Sequence, residues 1–328
     1  MYPLLTINIG KLQRNLATLT TAVHGAGCSV MIVTKSFCAD KRIVEMLLSN
    51  DSVDYLADSR IQNIQSYAGK GKKTVLLRLP QECEIPELVR YADISLNSET
   101  ATLRLINEEA TRQGKVHRVV LMIDLGDLRE GLYFEDEEKI FNTVEQVLGM
   151  KHVEFYGLGT NLTCYGGVIP KKENLSILTG WADRIYEKFG VRPAMVSGGN
   201  SSSYYLIERG GLPAGINNLR LGESFVLGNE TAYGGHIENT CADAVILEAQ
   251  IIELRTKRSL PVGERGVDAF GEKKVIQDRG MIKRGILAIG RQDVDTDNII
   301  PVDPKLTSSV PVPITSSWTL APLRGIIR

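Results

Sequence analysis

The sequence predicts an α/β fold, a closed (β/α)8 barrel of the TIM type followed by a smaller β-rich domain. Three observations carry this prediction. Short apolar runs alternate with amphipathic helical segments over the first 232 residues, eight such runs occur there, and the alternation stops near residue 233. Eight strand–helix units in about 230 residues match one circuit of a barrel. An open doubly wound sheet is the rival arrangement, and it fits the count less well.

The first predicted strand lies in Ser29–Phe37, which reads Ser-Val-Met-Ile-Val-Thr-Lys-Ser-Phe. A continuous apolar run of about four to eight residues is typical of a strand buried on both faces, as in parallel sheets. Lys35 stands at its end. Because burying an unpaired ammonium is costly, we expect this lysine at the barrel mouth, where water or a ligand can reach it. A solvated lysine that merely follows a strand is the simpler alternative.

The other predicted strands are Tyr55–Ser59, Thr74–Leu79, Ile94–Asn97, Val119–Leu125, Phe155–Leu162, Ala194–Ser197 and Leu219–Leu221. Apolar residues at spacings of three and four predict helices between them, such as Asp40–Leu48, Ser98–Gln113, Glu135–Leu148 and Lys172–Phe189. Beyond residue 233 the helical pattern is lost, and Ala244–Leu254 and Gly285–Gly290 are typical of strands. We therefore predict a barrel domain over residues 1–232 and a β-rich domain over residues 233–328.

The end of the chain fits neither pattern. Val310–Thr319 has no strand alternation and no helical periodicity, and its two prolines disfavour a central strand. The sequence thus predicts an apparently incomplete β-rich domain, truncated or frameshifted after about residue 308.

Composition excludes several classes of protein. The chain has 38 Lys and Arg against 39 Asp and Glu, so its net charge of −1 attracts neither nucleic acid nor an anionic membrane. No apolar run reaches the roughly 18 residues of a membrane span, and the start lacks the layout of a signal peptide. The five cysteines and four histidines show no metal-ligand or disulfide spacing. We expect a cytoplasmic protein without a metal site.

Glycines, hydroxyls and charged side chains gather where the last four barrel strands end, in Asp124–Gly131, Gly159–Gly166, Ser197–Ser203 and Asn218–Glu223. Hydroxyls and free N–H groups in glycine-rich turns bind phosphate, commonly after strands seven and eight of a barrel. A plain turn is the alternative for each of them. Together with Lys35 they describe one cofactor, pyridoxal 5'-phosphate, which needs an amine for its aldehyde and an anion site for its phosphate.

The same motifs give the chain a resemblance to a known family. They are Val33-Thr-Lys-Ser, Ala57-Asp-Ser-Arg-Ile-Gln-Asn63, Asp124–Gly131, Asn161–Gly166, Ser197–Ser203 and Leu219–Ser224. From residue 1 to about Thr307 the sequence resembles the alanine racemase family of fold-type III pyridoxal-phosphate enzymes, most closely its ornithine racemase branch. The resemblance implies an isomerase that interconverts L- and D-ornithine, or a similar basic amino acid, by removing a proton from Cα and returning it. It also implies a head-to-tail homodimer in which the β-rich domain of the partner subunit completes each site.

The resemblance implies a role for each matching residue. Lys35 would carry the cofactor and act as the base on one face of the substrate. Arg129 would contact the cofactor's phenolic oxygen and Arg220 its pyridine nitrogen, while Asn161 stands where alanine racemases have a histidine. An arginine stays charged and can only donate, so the ring nitrogen would remain unprotonated, which favours simple return of the proton to Cα. The phosphate positions are matched by Asn200, Ser201 and the backbone of Gly222 and Glu223.

The chain departs from the family pattern at two places. Ala39 stands where the family has a tyrosine that binds the phosphate, and Gly263–Gly271 lacks the tyrosine that serves as second base. Asp268 is the first candidate for the second base, with Cys164 and Tyr165 as alternatives, although a loop aspartate is also a common turn former. The acids that could meet the distal ammonium of a basic substrate are Asp127, Glu130, Glu223 and Asp268.

Two other functions stay open from the sequence. A non-catalytic pyridoxal-phosphate-binding homeostasis protein resembles the barrel alone, so the residues after 233 argue against it. A fold-type III amino-acid decarboxylase usually has a longer chain and an acid in place of Arg220.

Overall fold

The computed structural model describes residues 2–273, 275–291, 293–295, 299, 301–303, 305–311 and 316–320, with the backbone alone from residue 307 onward. The chain forms two compact units. The barrel unit is Asn8–Ala244, and the second unit combines the residues up to Ile7, including strand β1 (Leu4–Ile7), with those from Val245 onward.

The two units divide between Ala244 and Val245, whereas the sequence predicts a boundary between residues 232 and 233. Residues 233–244 form the short segment between these two positions. Asn15 of the barrel unit hydrogen-bonds this segment at both backbone groups of Cys241. Its Oδ1 accepts from Cys241 N at 2.6 Å, and its Nδ2 donates to Cys241 O at 3.0 Å. Residues 233–244 therefore belong with the barrel.

Eight parallel strands close into the predicted barrel. The strands of this unit are β2 (Ser29–Val33), β3 (Tyr55–Asp58), β4 (Lys73–Leu76), β5 (Ile94–Asn97), β6 (His117–Asp124), β7 (Leu132–Tyr133), β8 (Val153–Gly159), β9 (Met195–Ser197) and β10 (Asn218–Leu221). Neighbours follow the order β5-β4-β3-β2-β10-β9-β8-β6, and pairing of β5 with β6 closes the ring. The short β7 pairs in parallel beside the end of β6 and is not one of the eight strands that close the ring. The fold class predicted from the sequence is confirmed.

Helices connect the strands. They are α1 (Ile9–Gly25), α2 (Lys41–Leu48), α3 (Ile61–Tyr67), α4 (Ile85–Tyr91), α5 (Thr100–Arg112), α6 (Glu137–Leu148), α7 (Lys172–Phe189), α8 (Tyr204–Glu208) and α9 (Glu223–Leu227), with 3-10 turns at Thr34–Phe37, Glu82–Glu84 and Ser201–Ser203. Local chemistry sets their ends. Asp136 accepts from Lys139 N at the start of α6, and Gly190 takes a φ of 70° at the end of α7.

Apolar side chains fill the barrel interior, among them Met31, Ala57, Val75, Ile94, Leu96, Val120, Met122 and Met195. Because alternate residues of a strand point to the same side, these interior rows continue at the carboxyl ends of the strands into polar residues. Asp124 follows Met122 in this way, and Ser197 follows Met195. The carboxyl end of the barrel, called the mouth below, is therefore polar.

The second unit is built from strands, as predicted. Strand β1 pairs antiparallel with β11 (Val245–Glu248), and an antiparallel sheet contains β12 (Ile251–Arg258), β13 (Met281–Leu287), β14 (Leu306–Pro311) and β15 (Ser316–Leu320). Backbone pairing thus extends into Val310–Thr319, where the sequence has no alternation. Pro311 ends the edge strand β14, where a missing N–H costs little. Residues 312–315 and 321–328, which the predicted truncation or frameshift also concerns, lie outside the described residues.

No helix in the described ranges has both the length and the apolar composition needed to cross a bilayer.

Candidate active site at the barrel mouth

Lys35 lies at the mouth, as predicted, in the 3-10 turn that directly follows β2. Its side chain is exposed, and its Nζ makes no hydrogen bond or ion pair with the described residues. The turn closes through Cys38 N and Ala39 N, which donate to Lys35 O at 3.2 Å and to Thr34 O at 3.0 Å. A short closed turn therefore presents at the mouth an amine that bonds no described residue.

Thr34 anchors this turn from below. Its hydroxyl donates to Asp58 Oδ2 at 2.5 Å and lies 3.0 Å from Tyr67 OH. The Asp58 carboxylate also accepts from Asn63 Nδ2 at 3.1 Å and from Arg60 N at 2.8 Å. Two motifs that the sequence shows separately, Val33–Ser36 and Ala57–Asn63, are thus joined by hydrogen bonds beneath the lysine.

The guanidinium of Arg220 is buried at the mouth, with 3% of the residue exposed. Its NH1 donates to Ser197 Oγ at 2.5 Å, and its NH2 donates to Thr160 O and to Asn161 Oδ1, each at 2.5 Å. Burial lowers the pKa of Arg220 to about 10, an effect that the carboxylate of Glu130 opposes. The side chain stays charged at neutral pH, and its Nε donates to no group in the described part of the chain.

Glu130 links the predicted site residues to one another. Its Oε1 accepts from Asn161 Nδ2, and its Oε2 forms an ion pair of 3.1 Å with Arg129 Nε. Since Asn161 also bonds Arg220, the four side chains form one chain across the mouth. The sequence offered Glu130 only as an acceptor for a substrate ammonium and gave no sign of this bridge.

The turns after β9 and β10 lie together at the position where the sequence predicts a phosphate cradle, and they are called the cradle below. Ser201 Oγ accepts from Gly222 N and Ser224 N at 3.3 Å each and from Ser224 Oγ at 2.9 Å. The backbone N–H groups of Ser201 and Glu223 donate to no described group. A Cβ on Gly222 would lie 3.2 Å from Val33 Cβ, so the glycine keeps this cradle open and close to the lysine turn.

Asp127 builds the loop that follows β8. Its Oδ1 accepts from the N–H groups of Thr163 and Val168, and its Oδ2 from those of Cys164 and Tyr165, at 2.8–3.1 Å. Burial raises the pKa of this carboxyl, and the hydrogen bonds from the backbone N–H groups lower it. Together these hydrogen bonds outweigh burial, so the pKa lies below its ordinary value. Both oxygens are engaged, and Asp127 is not free to meet a substrate ammonium.

Asn200 connects that loop to the cradle. Its Nδ2 donates to Leu162 O at 3.1 Å and lies 3.2 Å from Cys164 Sγ, while its Oδ1 accepts from Ser202 N at 2.8 Å. Cys164 and its neighbour Tyr165 are both exposed. The structure thus places Cys164 beside Asn200.

Asp268 belongs to the second unit. Its Oδ1 accepts from Phe270 N at 2.8 Å and from Glu272 N at 3.0 Å, so it closes a tight turn. Glu223 is exposed, and its Oε1 accepts from Asn229 Nδ2 at 3.1 Å. Among the described residues no group of three or more side chains is placed to hold a metal ion.

Comparison with known proteins adds to this geometry. A profile of the family described as "Alanine racemase, N-terminal domain" matches residues 7–229. An ornithine racemase from Acetoanaerobium sticklandii is 50% identical over 306 residues, which are 93% of this chain and 86% of that protein. A lysine racemase from Thermotoga maritima is 35% identical over 305 residues, 92% and 84% of the two chains. The solved alanine racemase of Clostridium difficile 630 superposes with a TM-score of 0.70 at 17% identity, covering 99% of this chain and 84% of that one, and so shares the fold.

Proposed function

Because the chain belongs to the family of the alanine racemase N-terminal domain, we propose that it is an amino-acid racemase that interconverts L- and D-ornithine. The observation that carries the proposal is the buried guanidinium of Arg220 at the mouth of a barrel whose first strand is followed by the exposed side chain of Lys35. The high identity to an ornithine racemase supports the substrate, and the lysine racemase supports the wider class of basic amino acids.

Pyridoxal 5'-phosphate is the cofactor we propose for this site. The amine of Lys35, which bonds no described residue, suits its aldehyde, and the cradle offers the small Gly222 and two N–H groups that donate to no described group. When bound, the cofactor supplies an electron-withdrawing ring that stabilises the negative charge left at Cα. The residues that would hold it are Lys35, Arg129, Asn161, Asn200, Ser201, Arg220, Gly222 and Glu223.

Proton movement at Cα would fall to two groups on opposite faces of the substrate. The Nζ of Lys35 would remove or return the proton on one face. In the proposed homodimer the partner's Asp268 is the group we propose for the other face, with Cys164 and Tyr165 as alternatives. Arg220 donates to its neighbours and cannot supply a proton at neutral pH, so it would leave the ring nitrogen unprotonated and favour direct return of the proton.

A basic substrate needs an acid for its distal ammonium. Asp127 is committed to its loop by four backbone N–H groups, which leaves Glu130, Glu223 and Asp268 of the predicted acids. Glu130 already accepts one donor on each oxygen, from Asn161 and Arg129, so an ammonium would join a carboxylate that is already shared.

We further propose a cytoplasmic homodimer. The five cysteines are all free thiols, which suits a reducing compartment, and the family resemblance supports the dimer. Light scattering of the purified protein tests the assembly. A mass near twice the 36.1 kDa of one chain would support it, and a monomer would contradict it.

Chiral chromatography of L-ornithine incubated with the purified protein and pyridoxal phosphate tests the function. We expect D-ornithine to accumulate towards an equal mixture and the Cα hydrogen to exchange with deuterium from the solvent. Lys35→Ala should abolish both, whereas Lys41→Ala, which removes an exposed lysine paired with Glu45, should not. Cofactor binding without exchange would favour the homeostasis protein, and release of carbon dioxide would favour the decarboxylase.

A further inference from the structure

We propose that Glu130 is a positioning residue of this site, which fixes the amide of Asn161 and through it the guanidinium of Arg220. The inference rests on the proposed function only in taking Arg220 to face the cofactor. Glu130 would act through its neighbours, since its two carboxylate oxygens are taken by Asn161 and Arg129.

The orientation of the Asn161 amide follows from its two neighbours. Glu130, when ionised, can only accept hydrogen bonds, and Arg220 can only donate them. The amide nitrogen therefore faces Glu130 and the amide oxygen faces Arg220, at 2.5 Å from NH2. A flipped amide would set donor against donor at one end and acceptor against acceptor at the other. Glu130 thus decides which end of Asn161 the arginine meets.

Arg220 depends on that oxygen because it is buried. Its other acceptors are Ser197 Oγ and Thr160 O, and a lost partner would leave a buried N–H unsatisfied. The titratable groups that act on it are Glu130, Cys164 and Arg129, and the carboxylate of Glu130 favours the charged guanidinium against burial. Without this carboxylate the pKa of Arg220, already lowered to about 10, should fall further.

The role requires two acceptor oxygens. One oxygen of Glu130 serves Asn161 Nδ2 and the other serves Arg129 Nε. An amide of the same shape has a single oxygen, so in Glu130→Gln an N–H group must face one of the two donors. A side chain that only filled space would tolerate the amide.

Two substitutions, made singly and together, test this requirement. In Glu130→Gln alone, the new N–H group faces a donor of either Asn161 or Arg129. In Asn161→Asp alone, the new carboxylate faces the carboxylate of Glu130. In the double variant the new amide donates to the new carboxylate and accepts from Arg129, while the carboxylate accepts from Arg220. Every partner is restored and the net charge is unchanged. We expect each single variant to bind pyridoxal phosphate about tenfold more weakly, as the loss of a hydrogen bond to a charged group implies, and the double variant to recover most of the loss.

The measurements are urea unfolding of the full chain without added cofactor, pyridoxal phosphate affinity by absorbance, and the pH profile of kcat. The alkaline limb of the profile should move to lower pH in Glu130→Gln. Glu154→Gln, which removes an acid paired with Arg118 at 2.9 Å, is the matched control and should change neither affinity nor profile.

Two results would overturn the proposal. One is a Glu130→Gln variant with unchanged stability and affinity, and the other is a double variant whose losses equal the sum of the single losses. If the unmodified protein does not racemise ornithine, the proposed function fails, whereas unfolding and cofactor affinity still decide the role of Glu130.

Discussion

Gly222 and Ser36 touch so closely that a Cβ atom on the glycine would lie 2.8 Å from Ser36 Oγ. Strands β2 and β10 are neighbours in parallel register, so the turns at their carboxyl ends meet. The contact brings the cradle of Ser201 and Gly222 against the turn that carries Lys35. A cofactor that spans an amine and an anion site needs such a juxtaposition.

Gly222→Ala should therefore weaken the binding of pyridoxal phosphate. The φ of Gly222 is −121°, so the alanine would not occupy the left-handed region and its effect would be steric. Moving Ser36 and Val33 aside should lower affinity about tenfold, the scale of modest overpacking. Absorbance titration with the cofactor measures it.

Gly25→Ala is the control for this change, because a Cβ there has no neighbour within 4 Å. Its affinity should equal that of the unmodified protein. Equal affinity in Gly222→Ala as well would show that the close contact plays no part in cofactor binding.

Thr34→Val should destabilise the barrel while keeping the shape of the side chain. The valine cannot donate to Asp58 Oδ2, and it leaves the buried Tyr67 hydroxyl without a neighbour at 3.0 Å. We expect the free energy of unfolding in urea to fall by about 2 kcal/mol, the scale of a buried group left unsatisfied.

Thr143→Val is the matched control, since the buried Thr143 hydroxyl only bonds back to Lys139 O within α6 at 2.8 Å. Such a bond adds little to helix stability, so the change should be small. If both variants lose the same free energy of unfolding, the Thr34–Asp58 hydrogen bond stabilises the fold no more than a bond within a helix does.

The sequence predicts well what a local run of residues encodes. A short apolar run that is rich in β-branched residues and bounded by turn residues is typical of a buried strand, so the eight barrel strands and the exposed Lys35 could be predicted. The strand Leu4–Ile7 could not, because its partner Val245–Glu248 lies at the far end of the barrel sequence and the four residues carry no pattern.

The same limit applies to the site. Asp127 looked like an acceptor for a substrate ammonium because it is an acid in a glycine-rich turn. Its true partners are backbone N–H groups of Thr163 to Val168, which carry no sequence signal. The hydrogen bond between Glu130 and Asn161 could not be predicted for a similar reason, since the fold brings together two strand ends that are far apart in the sequence.

Asp127→Asn should destabilise the protein in a pH-dependent way. The folded-state pKa of Asp127 lies below its ordinary value of 3.8. The stability that its ionised form contributes is therefore complete above the unfolded-state pKa and is lost as the pH falls through the folded-state value. At neutral pH we expect a loss of about 3 kcal/mol, because an amide leaves some of the N–H groups facing another donor. Urea unfolding between pH 7 and pH 3 measures the difference, which should shrink only below about pH 4.

Asp40→Asn serves as the control for this series. Asp40 also has a lowered pKa, chiefly through its bond to the Arg42 side chain, but it caps α2 by accepting from Arg42 N. Asparagine caps a helix equally well, so the loss should be small. A constant difference between the Asp127 variant and the unmodified protein across the pH range would contradict our account of the loop.

Asp268→Asn tests the second acid–base group of the proposed racemase. If Asp268 serves one face and Lys35 the other, the variant should keep its cofactor and lose kcat by about a hundredfold or more, as the loss of a general acid–base group implies. The two enantiomers of ornithine should then differ in deuterium oxide. The enantiomer whose Cα hydrogen faces Lys35 should still exchange it, whereas the other should exchange slowly, and neither should convert at the normal rate. Proton NMR and mass spectrometry of each recovered enantiomer measure how much deuterium each has taken up at Cα.

Cys164→Ser and Tyr165→Phe complete the comparison, because both side chains are exposed in the loop that Asp127 holds. With Asp268 in the role, neither variant should show unequal exchange. Unequal exchange in Cys164→Ser, with normal behaviour in Asp268→Asn, would instead assign the second face to the thiol beside Asn200. Asp268 would then be only the residue that closes its turn through Phe270 N and Glu272 N. One measurement on three variants therefore separates a catalytic aspartate from a turn former.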